Sequence, residues 1–166
     1  MILREITSRS ELEQAWALRH DVFVIEQGVP LEVEVDEADT AATTGHVLGI
    51  EEDSGEVLGT GRLLHDEPGV VHLGRLAVVP AHRGRGLGLM LLQGLEELAL
   101  ARFAQDGAVR IILNAQQHAT NFYARAGYEL TCRPPFREAG IWHREMVRLR
   151  RADDTPPHVH SHPDSP

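Results

Sequence analysis

Residues 76–88 read LAVVPAHRGRGLG and join a strand pattern to a helix pattern. The apolar strand pattern ends at Pro80, and glycines at alternate positions 84, 86 and 88 open the helix pattern. Glycine lets the backbone approach a ligand closely and adopt positive φ. The free amides of a first helical turn favour an anion, and Arg83 and Arg85 add cationic partners. The stretch therefore predicts a diphosphate-binding turn made mostly of backbone.

The glycine spacing excludes a dinucleotide-binding fingerprint. That fingerprint requires G-x-G-x-x-G. Its third glycine would fall on Leu89 when counted from Gly84 and on Leu91 when counted from Gly86. The alternative without a ligand is an ordinary glycine-rich turn between a strand and a helix.

The residue types exclude several classes of protein. The chain of 166 residues has no lysine, so neither a Walker-type phosphate loop nor a Schiff-base enzyme is compatible with it. No serine lies in a G-x-S-x-G elbow, which argues against a serine hydrolase. The single cysteine, Cys132, rules out an intrachain disulfide and a Cys-rich zinc site. We expect Cys132 to be a small buried side chain on a strand.

The net charge and the length of the chain limit the binding partners and the domain organisation that we expect. A net charge of −9 disfavours nucleic acid and anionic membranes and weakly favours a neutral or cationic partner. The first thirty residues do not resemble a signal peptide, and no apolar stretch is long enough to span a bilayer, so we expect a cytoplasmic protein. The length predicts one domain over residues 1–151. A monomer and a homodimer both stay open.

Residues 152–166 differ in composition from the rest of the chain. They are rich in proline, histidine and aspartate and nearly free of apolar residues, which predicts a disordered tail. His158, His160 and His162 are chemically able to bind a transition metal. No carboxylate is pre-arranged beside them in a flexible segment, so we expect no metal site.

Hydrophobic periodicity predicts an α/β domain with a mixed sheet, in the order β-α-β-β-β-α-β-α-β-β. Strands are expected at residues 2–7, 46–52, 57–64, 70–79, 109–114, 128–132 and 141–149, and helices at residues 10–27, 86–105 and 118–126. Ser10 should cap the first helix, with Glu13 completing a capping box. Glu96 and Glu97 should point away from the apolar face of the second helix.

An acidic segment and two strand arginines leave alternatives open. Residues 26–39 contain carboxylates and no cation, which is typical of a solvated loop but also fits the wall of a cleft for a cationic amine. Arg62 and Arg75 alternate with apolar residues on adjacent predicted strands. They either face the carboxylate of an acceptor or pair with the acidic segment.

The glycine turn and a second motif resemble the GNAT acetyltransferase family. Arg83-x-x-Gly86-x-Gly88 matches the family's central R/Q-x-x-G-x-G/A pattern. Residues 114–128, NAQQHATNFYARAGY, resemble its N-x-x-A-x-x-F-Y-x-x-x-G-Y/F motif, and residues 23–27 and 136–143 resemble the ElaA-like branch. The resemblance spans about residues 1–149 and implies the acyl-CoA N-acyltransferase fold. In that fold the central strands of a mostly antiparallel mixed sheet splay apart between flanking helices.

The resemblance implies that acetyl-CoA lies between the splayed strands and that coenzyme A is a product. The backbone of Leu76, Ala77 and Val78 would pair with the pantetheine arm. The diphosphate would lie on the turn formed by Arg83, Gly84, Arg85, Gly86, Leu87, Gly88 and Leu89. Asn114 and Asn121 would contact the pantetheine or the thioester region.

The resemblance also implies direct attack by an amine in a ternary complex. Tyr123 is the family's usual proton donor to the departing thiolate. His72 is a candidate general base because imidazole titrates near neutrality, and Glu26 and Asp36 are rivals. Glu26, Gln27 and His143 become acceptor-site candidates. A non-catalytic acyl-CoA sensor is the alternative function, and the presence of Tyr123 favours the enzyme.

Overall fold

The computed structural model describes residues 1–154 as one mixed sheet flanked by helices, which confirms the predicted fold class. The strands are β1 (Ile2–Glu5), β2 (Gly45–Ile50), β3 (Val57–Glu67), β4 (Val70–Val78), β5 (Ala108–Gln116), β6 (Glu129–Leu130), β7 (Phe136–Glu138) and β8 (Ile141–Arg151). Their order is β1-β2-β3-β4-β5-β8-β6, and β7 also pairs with β8. Only the β4–β5 pair is parallel among the paired strands of the described residues.

The helices connect these strands. They are α1 (Arg9–Arg19), α2 (Leu31–Glu34), α3 (Leu87–Phe103) and α4 (Thr120–Arg125), and α1 continues directly into a π-helical segment (His20–Glu26). That segment ends before Gly28, which has φ +74° as expected for a residue just past a helix. No helix within residues 1–154 is both long enough and apolar enough to cross a membrane. The predicted tail from residue 155 onward lies outside the described residues.

The predicted cap of the first helix is wrong by two residues. Ser8, not Ser10, is the N-cap, and its side chain accepts a hydrogen bond from the Glu11 amide at 3.2 Å. The glutamate that bonds back to the start of the helix is Glu11 rather than Glu13, since its carboxylate accepts a hydrogen bond from the Thr7 amide. Ser8 and Ser10 both fit a capping pattern, and the early end of β1 at Glu5 selects the first of them.

The prediction for Cys132 is also wrong. Strand β6 contains only Glu129 and Leu130, so Cys132 lies beyond its end and is exposed. Pro134 and Pro135 lie two and three residues further along the chain and provide no amide donors for a longer strand. The sequence pattern alone did not show where this short strand ends.

Helix α3 packs on one face of the sheet and builds the main core. Its residues Leu91, Leu92 and Leu95 are fully buried against strands that include β3, β4 and β5. The approach is close, because a Cβ built on Gly59 would lie 2.4 Å from Leu91 Cδ1. On the other face, α1 and the π-helical segment form a smaller cluster with Ala77 of β4.

A β-bulge in β4 changes which side chains face α3. Thr60 pairs with Ala77 and Arg62 pairs with Gly74, so β4 holds one more residue than β3 between these pairs. Val71 and Leu73 face α3 before the bulge, whereas Leu76 and Val78 pack against the same cluster after it. Arg75 lies in the bulge with φ +52°. The extra residue therefore reverses the alternation of faces along β4.

Glu96 does not point away from the core, contrary to the prediction. It is fully buried in α3, and its carboxylate accepts hydrogen bonds from the Tyr128 hydroxyl at 3.2 Å and from Arg148 at 3.1 Å. The guanidinium of Arg150 forms an ion pair with it. The two arginines lie on β8, far along the chain, so local periodicity gave no sign of these partners.

We predict that Glu96→Gln lowers the free energy of unfolding by about 3 kcal/mol or more, because it removes the buried carboxylate that Arg150 shares with Arg148. Glu97 also accepts from Arg150, at 2.9 Å, but its side chain is 59% exposed. Glu97→Gln should therefore lower the free energy of unfolding by less than about 1 kcal/mol. Urea denaturation measures both variants. Equal losses would contradict the role given to Glu96.

Candidate functional site

Strands β4 and β5 pair only over their first halves. The parallel register ends at Leu73 opposite Leu113, just before the bulge. Beyond that point β4 continues with β3 as far as Val78, while β5 continues with β8 as far as Gln116. The two strands therefore diverge, and each turns an unpaired edge toward the gap between them.

A cleft of about 1360 Å³ occupies the gap and its surroundings. Small-molecule sites typically measure about 300–1,000 Å³, so this cleft has room for two ligands at once. The predicted site residues that line it are Glu26, Gln27, Arg62, His72, Arg75, Leu76, Ala77, Val78, Arg83, Gly84, Gly86, Leu87, Gly88, Leu89, Asn114, Tyr123 and His143. Arg85 and Asn121 are not in its lining, and both are exposed.

The glycine turn lies at one end of the cleft and leads into α3. Gly84 has φ +80° and Gly86 has φ +76°, a region that other residues rarely adopt. A Cβ built on either glycine meets no atom within 4 Å, so the space above the turn is open. Gly86 is the N-cap of α3 and, within residues 1–154, no side chain caps the helix. The first amides of α3 therefore remain available to an anion.

Tyr123 of α4 lies in the wall of the cleft. Its ring packs edge-on against Phe122, with the centroids 5.0 Å apart, and against Tyr128 at 5.9 Å. Burial raises the pKa of Tyr123 to about 12. The hydroxyl is therefore protonated at neutral pH and is able to donate a proton.

His72 lines the cleft from β4, on the face opposite to Val71 and Leu73. Its Nδ1 donates a hydrogen bond to the carboxylate of Asp66. Asp66 is the extra residue of a second bulge, because His65 pairs with Val71 and Glu67 with Val70. This bulge in β3 turns Asp66 toward His72, a contact that the sequence pattern did not predict. With Nδ1 engaged, Nε2 carries the free lone pair of the neutral ring.

Comparison with known proteins identifies the family to which this geometry belongs. A sequence profile described as an acetyltransferase (GNAT) domain matches residues 26–150. The chain belongs to the GNAT acetyltransferase family. It is an acyltransferase, as its relatives also indicate.

Two relatives resemble this GNAT acyltransferase over most of their length. The uncharacterized N-acetyltransferase YjcF of Bacillus subtilis is 35% identical over 141 residues, which cover 85% of this chain and 94% of YjcF. ElaA of Escherichia coli is 31% identical over 143 residues, covering 85% of this chain and 89% of ElaA. The crystal structure of E. coli ElaA superposes with a TM-score of 0.77 at 29% identity, over 89% of this chain and 99% of that one. The predicted ElaA-like branch is thereby confirmed.

A more distant structure shares the fold alone. An aminoglycoside 6'-N-acetyltransferase complexed with coenzyme A superposes with a TM-score of 0.67 at 15% identity, covering 90% of this chain and 97% of that one. At this identity the likeness extends only to the arrangement of strands and helices.

Two carboxylates of the acidic segment, Glu34 and Asp39, are buried in an ion-pair network, whereas Glu26, Glu32, Asp36 and Glu37 are exposed. Arg19 of α1 is 1% exposed and donates to Asp39 at 2.7 and 3.0 Å. It also pairs with the buried Glu34. Arg62 of β3 donates to Asp39 at 2.9 Å, and to Asp36 at 2.8 and 3.0 Å. Arg62 therefore pairs with the acidic segment, one of the two alternatives left open by the sequence.

Arg75 connects the bulge of β4 to the same acidic segment. Its guanidinium donates to the Glu34 carbonyl at 3.1 Å and to the Val33 carbonyl at 3.2 Å. A third, longer hydrogen bond of 3.4 Å reaches Asp36. These contacts hold α2 and the residues just after it against β4, at the point where β4 diverges from β5.

The π-helical segment ends in a bridge across the open end of the cleft. Arg83 donates to both oxygens of Glu26, at 2.6 and 2.9 Å. The next residue, Gln27, accepts a hydrogen bond from Gln116 of β5 at 2.9 Å. Glu26 thus contacts the turn that follows β4, and Gln27 contacts β5.

The β7–β8 hairpin forms a wall of the cleft that the sequence analysis missed. Phe136 pairs with His143 and Glu138 with Ile141, so the turn has two residues, Ala139 and Gly140, both with positive φ. Glu138 accepts from Asn114 of β5 at 3.2 Å, and it lines the cleft with Ile141. A three-residue strand carries too little periodicity to be recognised, and Gly140 was its only turn signal.

We predict that Asp39 contributes to the pH dependence of stability. Burial alone would raise the pKa of Asp39, but the hydrogen bonds and charges of Arg19 and Arg62 lower it from 3.8 to about 2. The folded protein therefore keeps Asp39 ionised where the unfolded chain would protonate it. This contribution, about 2 kcal/mol, is complete above pH 4 or so and is lost as the pH falls toward 2.

Urea denaturation at several pH values tests this prediction. The free energy of unfolding should fall less steeply below about pH 4 in Asp39→Asn than in the wild type. Asp53→Asn, in the exposed β2–β3 turn, serves as a matched control and should keep the wild-type slope. An unchanged slope in Asp39→Asn would remove the assignment.

Proposed function

We propose that this protein transfers an acetyl group from acetyl-CoA to a primary amine, by direct attack of the amine within a ternary complex. The observation that carries the proposal is the divergent strand pair that ends at an uncapped, glycine-lined helix start. A cleft large enough for two ligands supports simultaneous binding of the acyl donor and the acceptor. The coenzyme A complex of the distant aminoglycoside acetyltransferase is consistent with the same use of the shared fold.

The residues present fit the chemical groups of coenzyme A. Open space above Gly84 and Gly86 and the free amides of α3 suit a diphosphate, and Arg83 adds a cation. The unpaired edge of β4 at residues 76–78 provides backbone groups for the amides of the pantetheine arm. Asn114 Oδ1 is buried near the point of divergence without a hydrogen-bond partner among the described residues, and it would accept from such an amide. When bound, the thioester supplies an activated acyl group.

Tyr123 is the proposed proton donor. Departure of a thiolate is assisted by a nearby acid that is protonated at neutral pH, and burial, which raises the pKa of Tyr123, keeps its hydroxyl in that form. Its position in the cleft wall, next to Phe122, places it on the α4 side of the gap. Cys132 is exposed and does not line the cleft, which supports direct transfer without an acyl-cysteine.

His72 is the proposed general base, and its rivals are less suited to the task. Hydrogen bonds from Arg83 lower the pKa of Glu26. Burial would raise the pKa of Asp36, but Arg62 and Arg75 lower it below 3.8. Carboxylates held ionised in this way are weak bases. His72 instead has Nδ1 bonded to Asp66, so that Nε2 is able to take a proton from the acceptor's ammonium group and leave the free amine that attacks.

A screen of amines tests the proposed function. Each amine is incubated with acetyl-CoA and the protein, and release of free coenzyme A is followed. Turnover of at least one amine above the hydrolytic background is expected. Binding of acetyl-CoA without turnover of any amine would instead favour the sensor. The expectations of a cytoplasmic location, no nucleic-acid or membrane partner, and a monomer or homodimer stay predictions.

We predict that Tyr123→Phe lowers kcat about 100-fold, because the departing thiolate loses its acid, while the Kd for acetyl-CoA stays within about twofold. Steady-state kinetics and calorimetry measure the two effects. Tyr128→Phe is the matched control, since it removes the hydroxyl of the neighbouring tyrosine, which bonds to Glu96 in the core. That control should lose stability but keep kcat. An unchanged kcat in Tyr123→Phe would exclude the assignment.

We predict that His72→Ala removes the acidic limb of the pH–rate profile, because no group then titrates in the role of base. Asp66→Ala should lower kcat about tenfold with little change in KM for the donor, since the imidazole loses the partner that orients it. Asp66→Glu should restore part of the loss. A His72→Ala enzyme that keeps its acidic limb would show that another residue is the base.

A further inference from the structure

The Arg83–Glu26 pair raises a question about the diphosphate turn, because the cation of that turn already has an anionic partner. Arg83 presents two N–H groups to the two oxygens of Glu26, at 2.6 and 2.9 Å. Its Nε donates to the Val78 carbonyl at 3.2 Å. Arg83, Glu26 and Val78 all line the cleft in which the proposed acyl donor would bind. Each of the three guanidinium nitrogens of Arg83 therefore already donates one hydrogen bond before any ligand arrives.

The geometry makes this engagement a competition. A guanidinium binds a carboxylate and a phosphate through the same paired N–H groups, so one fork does not hold both well. Both side chains are partly exposed, 43% for Arg83 and 37% for Glu26. An exposed ion pair of this kind contributes little net free energy, whereas a diphosphate also gains the free amides of α3. The ligand should therefore displace the carboxylate.

The bridge formed by residues 26 and 27 determines where the displaced carboxylate goes. Gln27 stays attached to Gln116 of β5, so Glu26 remains at the mouth of the cleft. Apolar side chains of the same helix–loop region, Phe23 and Val33, also line the cleft there. Arg62 and Arg75 are held by Asp36 and by backbone carbonyls, so they offer the freed carboxylate no unengaged guanidinium. An acceptor that carries a positive charge would provide the cation that the freed Glu26 carboxylate lacks.

We propose that Glu26 is a specificity-determining residue that acyl-CoA binding transfers from Arg83 to the ammonium group of the acceptor. The acceptor is then a cationic primary amine with an apolar portion. The inference rests on the proposed function, since it takes acyl-CoA as the ligand of the glycine turn. It extends that function by giving the charge of the acceptor and the residue that recognises it.

Calorimetric titration with coenzyme A alone tests the competition. Glu26→Gln should bind coenzyme A about two- to fivefold more tightly than the wild type, because the diphosphate no longer displaces a carboxylate. Glu32→Gln removes one charge from the neighbouring exposed segment and is the matched control. It should leave the affinity unchanged, which separates the competition from a general effect of net charge.

A double-mutant cycle ties the effect to Arg83. In an Arg83→Ala background, Glu26→Gln should give no further gain in affinity for coenzyme A. The same gain in both backgrounds, or no gain in either, would overturn the proposal. If the folded wild-type protein bound no coenzyme A at all, the proposed function itself would fail, and that outcome is distinct from the other two.

Carboxyl carbon NMR observes the release directly, with the Glu26 signal assigned by its loss in Glu26→Gln. In the free protein the pKa of Glu26 should lie below 4.5, as Arg83 holds the carboxylate ionised. Saturation with coenzyme A should raise this pKa back toward the usual range of a glutamate, since the carboxylate has then left Arg83. An unchanged pKa on saturation would contradict the transfer.

The proposed role of Glu26 in binding the acceptor is tested with an amine that the screen identifies as a substrate. Glu26→Gln should raise the KM of a cationic acceptor about five- to tenfold while kcat changes less, because uniform binding is lost. Glu32→Gln should leave that KM unchanged. An unaltered KM in Glu26→Gln, or turnover confined to acceptors without a positive charge, would refute the role in acceptor binding and leave the acyltransferase function intact.

Discussion

The site depends on the one extra residue that β4 carries at Arg75. A parallel pair in a continuous sheet would pair along its whole length and leave no room for a ligand. The bulge bends β4 away from β5 after Leu73 and reverses the faces that its side chains present. Leu76 and Val78 remain packed on α3, so the core is kept while the strand edge is opened. The glycine turn then begins directly at the end of this displaced strand.

A bulge with positive φ at a non-glycine residue needs support from its surroundings, and the buried charge network supplies it. Arg75 is hydrogen-bonded to carbonyls of the loop before β2, and that loop is held in turn by Arg19 and Arg62 through Asp39. The buried charges are paired with one another, but Glu34 Oε2 and Arg62 Nε have no hydrogen-bond partner among the described residues. The net stabilisation is therefore modest, and the loss of a single member severe. The network joins α1, β3 and β4 beside the cleft. Its contacts hold the part of the cleft wall that Glu34, Asp36, Arg62 and Arg75 line.

Much of the donor side could be predicted because its signals are local. Gly84 and Gly86 have the positive φ that their spacing suggested, and α3 begins where the glycine pattern ends. Tyr123 likewise follows from a contiguous motif. Three features could not be predicted: the partners of Glu96, the contact between Asp66 and His72, and the β7–β8 hairpin. Each depends on a register or on a pairing between residues that are distant along the chain or too few to show a period.

By itself the sequence determined the fold class, the family, the glycine turn before α3 and the absence of an intrachain disulfide or of lysine chemistry. These follow from residue identity and short-range spacing, which act through backbone φ, amide exposure and side-chain chemistry. Only the tertiary structure decided that Glu34 and Asp39 of the acidic segment are buried with Arg19 and Arg62, and that Glu26 pairs with Arg83. The physical reason is that charge pairing depends on distance in space. Carboxylates that look solvated in a linear pattern become ion-pair partners once the strands bring arginines to them.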